Sequence, residues 1–382
     1  MPFNKIHIIS SIMRLGLTLM ASCILAGTSF TVQAQKEGNN FLIADRAEIL
    51  ALPTSGGAWN ELLEAANNEL STNLADQNDH SPSFAVAAGL VYVRTGDSSY
   101  RDKIVHALNS LPGTEYNNNP SPGRTLSLGR QLAGWIIAAD LIGYREPEFV
   151  AWVNEVRTSH IGNHGRWVNL TQTHFNAASN WGAFAGSSRV AASLYINDKK
   201  DVEAAAKILR GALGDRSSWP GLPIGENDGG FQPTAAFDTS WSCHNPQWQP
   251  LNSSCPEEKA ELDGAIVEDI ARSATSWPED PDKTGYGYSW ETLQGLSLQA
   301  LLLSQNGYPD VWEWTDQGLL RAVDYLARTD GFDGENFHPV NYWVPWLIDA
   351  VYGSDYAKSG QAYGRAFGYT EWLAPALPKI NK

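Results

Sequence analysis

Apolar residues recur along most of this chain at spacings of three and four, the period of α-helices with one face turned to a core. The pattern predicts helices over Ala58–Leu70, Phe84–Thr95, Tyr100–Leu111, Thr125–Ile142, Pro147–Val156, Trp181–Leu194, Val202–Leu213, Leu262–Ala274, Trp290–Leu303, Trp314–Ala327 and Tyr342–Val351. Within Thr125–Ile142, Leu128, Leu132, Trp135, Ile136 and Ala139 fall on one face; after Trp290, Leu293, Leu296, Ala300 and Leu303 do the same. Alternating strand patterns are scarce, so the predicted fold class is all-α. Ala and Gly crowd several faces, as in Ala85–Ala88 and Ala183–Ala192, and let helices approach closely. Helices of similar length with unequal connections suit antiparallel pairs set in a ring, and equally a solenoid or an irregular bundle.

The N-terminus bears on the compartment. Lys5 and Arg14 precede an apolar run from Leu15 to Gly27, no acidic residue occurs before Glu37, and Val32-Gln33-Ala34 has small residues where a signal peptidase cuts. The expected organisation is a secretory signal peptide over 1–34 and one domain over 35–382, periplasmic or secreted, with no linker-like stretch dividing it. Met20-Ala21-Ser22-Cys23 is a loose lipobox, through which a lipid-anchored form would be held at Cys23. No transmembrane segment is expected in the mature chain, since the apolar run is short of the roughly 20 residues a span needs.

Charge and cysteine narrow the partners. The formal net charge is −15, and signal cleavage would remove two more cations, Lys5 and Arg14. That balance argues against nucleic acid and anionic membranes. A chain of this charge that acts on a polyanion needs Arg and Lys gathered locally in its cleft. Cys243 and Cys255 stand in a loop-like stretch and are expected to pair in an oxidising compartment. Neither a Cys/His cluster nor an oxygen-rich loop asks for a metal, no cofactor is expected, and a monomer is the expected state.

The candidate chemistry lies in loops and helix mouths. Tryptophan is abundant, 15 in all, and segment Ser217–Cys255 holds Trp219, Phe231, Trp241, His244 and Trp248 among glycines and prolines. Segment Ser276–Tyr288 adds Trp277, Tyr286 and Tyr288. Aromatic faces on loops stack on the apolar faces of sugar rings, with polar tips for hydroxyls; the plainer role is to plug gaps over a core. In His174-Phe-Asn-Ala-Ala-Ser-Asn180-Trp181-Gly182, Asn180 either caps a helix or offers its amide to a substrate carboxylate, and His174 precedes it in a polar loop. In Leu262-Asp263-Gly264…Glu268-Asp269…Arg272, Glu268 and Arg272 are helical i,i+4 partners; such a clamp would also aim the guanidinium fork at a carboxylate. In Tyr286-Gly-Tyr288-Ser-Trp290-Glu291-Thr-Leu293-Gln294-Gly295, Tyr288 lies off the buried stripe at the mouth of the next helix, a poor place for a core tyrosine and a reasonable one for a catalytic phenol.

Together these stretches resemble the alginate lyase family of helical-toroid polysaccharide lyases, in its alginate and glucuronan lyase-like branch, over about Leu42 to Tyr352. The family's Asn-Asn-His motif is matched by Ser179-Asn180-Trp181, its Asp-Gly…Glu-x-x-Arg run by Asp263-Gly264, Asp269 and Arg272, and its catalytic tyrosine by Tyr288. The resemblance implies an (α/α)n toroid, an incomplete α/α barrel of about six to seven helical hairpins, and β-elimination on an acidic polysaccharide. It implies Asn180 and Arg272 as donors to the uronate carboxylate. Trp181 stands where the family carries its histidine, so the base falls to Tyr288, His174 or His244. Expected substrate-binding residues are Trp181, Arg130, Gln131, Trp241, Tyr286, Trp290, Glu291 and Tyr342. Two rivals stay open: an inverting glycoside hydrolase, which needs two carboxylates from a set such as Asp228, Asp238, Asp263, Asp269 and Glu291, and a non-catalytic glycan-binding protein.

Overall fold

The structure is a computed structural model that describes residues 40–116, 124–162, 168–215, 218, 263–270, 283–332, 336–358 and 363–380. The expected signal peptide with Cys23, the aromatic segment holding Trp241, Cys243, His244 and Cys255, and Arg272 lie outside these residues. The described residues belong to one unit, Asn39–Lys382.

In chain order the helices are α1 (Arg46–Ala51), α2 (Gly57–Asn67), α3 (Ser81–Thr95), α4 (Ser98–Leu108), α5 (Arg124–Leu141), α6 (Pro147–Val156), α7 (Leu170–Asn176), α8 (Asn180–Tyr195), α9 (Lys199–Ala212), α10 (Val267–Ile270), α11 (Lys283–Gln305), α12 (Trp314–Thr329), α13 (Trp343–Tyr352) and α14 (Thr370–Leu373). No strand occurs among the described residues, only the isolated bridges Asn40–Asp45 and Tyr363–Gly368. The chain is all-α, as its periodicity predicts. No helix among the described residues is long and apolar enough to cross a membrane.

Two kinds of helix follow from two kinds of sequence. α3, α5, α8 and α11 bury residues on all sides and pack one on the next, α3 on α5, α5 on α8, and α8 on α11. Their small residues make this possible. A Cβ on Gly295 of α11 would collide with the Ala183 carbonyl of α8. α9, by contrast, is amphipathic: Val202, Ala205, Ala206 and Leu209 are buried, while Lys207 and Glu203 pair at 3.0 Å on the exposed face. The C-terminal strap then returns to the beginning of the fold. Trp372 donates from Nε1 to the Pro53 carbonyl at 2.9 Å and its ring meets Trp59 at 5.6 Å, and the Ser83 hydroxyl meets that of Tyr369 at 3.3 Å.

Three local expectations change. α11 begins at Lys283, seven residues before the predicted start, so Tyr286 and Tyr288 stand on a helix rather than in a loop. Gly285 is there for packing: a Cβ on it would meet the backbone of Asp269 and Ile270. His174 also belongs to a helix, α7, whose start is capped by Asn169 accepting from Gln172 N at 2.9 Å. Asn180 is the first residue of α8 and not its cap; Ser179 precedes the helix, and the Asn180 N–H donates to the Asp269 carboxylate at 3.2 Å.

Candidate functional site

Glu291, in the third turn of α11, gathers side chains from three other parts of the chain. Arg130 of α5 donates to Oε2 from Nη2 in a very short ion pair, Asn180 donates to the same oxygen from Nδ2 at 3.0 Å, and Arg365 donates to Oε1 from Nη2 at 3.3 Å. The close packing of α5, α8 and α11 brings the first three together. Arg365 arrives on the strap before α14, where Gly364 packs so tightly on Trp343 and Gln294 that any Cβ would clash, and the Arg365 N–H donates to Gln294 Oε1 at 3.2 Å. Gln294 is itself fixed, donating to Asn341 Oδ1 at 2.7 Å and accepting from Trp343 Nε1 at 3.1 Å.

Burial alone would raise the Glu291 carboxyl, but the charges of Arg130 and Arg365, with hydrogen bonds from Asn180 and Arg365, outweigh it and hold its pKa below the ordinary glutamate value. Glu291 is therefore a carboxylate near neutral pH. Burial lowers the pKa of Arg130, and Glu291 opposes that shift. The Arg130 guanidinium also lies over the Phe184 ring, 5.4 Å from its centroid.

Tyr288 lies one helical turn before Glu291 and is 39 % exposed. Its phenol stands close enough to Arg130 to act on it electrostatically. An exposed tyrosine thus adjoins a buried network that also holds the Asn180 amide. On the other side of Arg365 stand Asn78, accepting from Nη1 at 3.3 Å, and half-buried His80. The Nδ1–H tautomer of His80 donates to the Gly364 carbonyl at 3.4 Å, and its ring meets Tyr363 edge-on at 5.2 Å. Burial first, then the charge of Arg365, keep this imidazole below its ordinary pKa, so it is neutral at pH 7.

Of the residues singled out from sequence, Tyr288, Asn180, Arg130 and Glu291 come together. The other expected site residues that are described have contacts of their own. Trp181 is buried against Leu126, Ala177 and Phe184, and Trp290 is fully buried between Phe332 and Phe337 with Nε1 on Asp330 at 3.0 Å. Tyr286 is buried and hydrogen-bonded to Tyr325 and Thr329. Gln131 is buried with its amide on the Asn73 and Asp76 carbonyls, and Tyr342 packs half-buried on Phe337 at 5.1 Å. His174 is enclosed beside Gln299, lining a cavity of about 20 Å³ with Ser179 and Thr292. The residue is 3 % exposed.

Asp263-Gly264 has a packing role. Asp263 accepts from Arg321 Nη1 at 2.6 Å, and Gly264, at φ 84°, lies where a Cβ would strike the Arg321 carbonyl. Arg365, His80, Asn78 and Tyr363 escape sequence reasoning, because they lie on non-helical stretches far apart in the chain. Among the described residues, no group of three or more His, Cys, Asp or Glu side chains is placed to hold a metal. Set against known proteins, the chain matches no protein-family model and no curated protein.

Proposed function

We propose that this protein is an exported polysaccharide lyase that cleaves a uronate-containing polymer, of the alginate or glucuronan kind, by β-elimination. The observation that carries this reading is the pairing of an exposed phenol, Tyr288, with a buried cationic network of Arg130, Arg365 and the Asn180 amide around Glu291.

β-Elimination removes the C5 proton beside a carboxylate and expels the glycosidic oxygen at C4. That proton becomes acidic enough only when donors hold the charge that grows on the carboxylate. Arginine and amide donors at this site supply them. Tyr288 takes the C5 proton as the C4–O bond breaks and returns a proton to the leaving oxygen, which requires both to lie on one face of the ring. The products are a new reducing end on one fragment and an unsaturated uronate at the new non-reducing end of the other. The packing of α3, α5, α8 and α11 in succession, with the strap returning to α2 and α3, supports a toroid of helical pairs as the scaffold. The acidic overall charge does not fit nucleic acid, and it leaves the holding of an acidic polysaccharide to cations gathered locally at the site.

Of the five carboxylates named for hydrolysis, Asp228 and Asp238 lie outside the described residues, and the other three suit it poorly. A glycosidase needs one carboxyl kept protonated as general acid. Glu291 is held ionised, Asp263 is paired with Arg321, and Asp269 is buried, accepting from Asn180 N and the Thr292 hydroxyl. The test is a panel of uronate polymers followed by ultraviolet absorbance. Wild type should generate the unsaturated chromophore on at least one, and Tyr288→Phe should lower kcat by about 10²–10⁴-fold with oligosaccharide binding retained. New reducing ends without the chromophore would point to a hydrolase, and binding without turnover to a glycan-binding protein.

A further inference from the structure

Arg130 and Arg365 share Glu291 unequally. The Arg130 side chain is 6 % exposed, pairs with Glu291 Oε2 and is packed over Phe184. The Arg365 side chain is 15 % exposed and reaches Glu291 Oε1 and Asn78 Oδ1 at 3.3 Å each, both at the long end for a hydrogen bond. Its Nε is buried without a partner, as is that of Arg130, so the two arms differ in exposure and in packing over Phe184. A guanidinium carries five N–H donors, and burying one unmet is costly. The root of the side chain is nonetheless fixed, through the backbone bond to Gln294 and the tight seat of Gly364. Arg365 is thus a cation on a rigid base with loose, incomplete contacts, within reach of the same carboxylate that Asn180 and Arg130 grip.

We propose that Arg365 is an exchangeable arm: it leaves Glu291 to take the carboxylate of an incoming uronate in a two-pronged bond, while Arg130 and Asn180 stay on Glu291. Glu291 then serves as a resident carboxylate that stores the arm between encounters, and Arg365 sets the preference for acidic over neutral sugars. The choice of a uronate as ligand rests on the lyase reading; the exchange itself is a binding event and needs no turnover.

The test is calorimetric binding of mannuronate, guluronate and glucuronate tetrasaccharides and of their carboxyl-reduced counterparts, in a Tyr288→Phe background so that no ligand is consumed. The parent should prefer the best acidic ligand over its reduced form by about 10- to 100-fold, the worth of a charged hydrogen-bonded pair. Arg365→Ala should weaken the acidic ligand by that factor and leave the reduced one within about threefold, so the preference collapses. Arg365→Lys, which keeps the charge but not the fork, should retain only part of it. Equal weakening of both ligands would mark a purely structural arginine and overturn the proposal, as would an unchanged preference in Arg365→Ala or no preference in the parent. The lyase reading fails separately, if wild type forms no chromophore on any uronate polymer while the Arg365 effect on binding persists.

Discussion

At the scale of single residues, the same carboxylate that organises the site also holds it folded. Glu291 is 12 % exposed in its side chain and faces two arginines, of which Arg130 is the more deeply buried. Removing one member of a buried pair leaves the other charge uncompensated, at about 3–5 kcal/mol. Glu291→Gln should therefore lower the melting temperature by several degrees, whereas Arg365→Ala, at the looser and more exposed arm, should cost much less. Thermal melts of the two variants side by side check this; equal losses would mean that the arms are equivalent. His174 carries a second residue-scale prediction. Its burial, reinforced by the charge of Arg189, holds the imidazole well below the ordinary 6.5. As pH falls, the unfolded chain takes that proton before the folded one does. Stability is then complete above about pH 6.5 and declines below it, by up to about 1.4 kcal/mol per pH unit. Urea midpoints between pH 7.5 and 5.5 should fall more steeply for wild type than for His174→Gln, and identical slopes would remove His174 from the acid response.

At the scale of elements, close approach of α8 to its neighbours is what puts Asn180 beside Glu291 and Arg130. Gly295 is one turn beyond Glu291 and lies on the Ala183 carbonyl. Gly295→Ala inserts a methyl where backbone already stands, and overpacking of this kind costs about 1–3 kcal/mol or more. It should also shift α11 against α8 and so lower activity without touching any polar group of the site. A purified variant with wild-type melting temperature and kcat would show that the contact is softer than the geometry indicates. Element scale is also where the sequence was most legible. α5, α8, α9 and α13 follow from period alone, because amphipathic or small-residue stripes dominate their energetics. The first two turns of α11 do not, since Gly285 and Gly287 among tyrosines read as a loop until the backbone of Asp269 is seen to need that space. Trp290 shows the converse. Its abundance of aromatic neighbours suggests sugar stacking, yet it closes a core with Phe332 and Phe337, and a loop-rich sequence offers no sign of which way an indole faces.

At the scale of the whole molecule, the least legible features are those made by distant parts of the chain. His80 precedes α3 and Arg365 follows α13, and no periodic signal relates them; only the strap that returns to α2 and α3 does. The charge balance, legible from composition, has its consequence at this scale too. A chain with net charge −15 repels a polyuronate over the Debye length, roughly 30 Å at 0.01 M salt and 10 Å at 0.1 M. The attraction that opposes it comes from Arg365, which is largely buried and therefore less screened. Salt should weaken the repulsion before it weakens the grip. We expect kcat/KM on the preferred polymer to rise between about 10 and 100 mM sodium chloride, the reverse of an enzyme that steers polyanions with a basic face. Steady-state rates across that range are sufficient to decide. A steady fall from the lowest salt upward would mean that long-range attraction dominates, and that cations besides Arg365 reach the substrate.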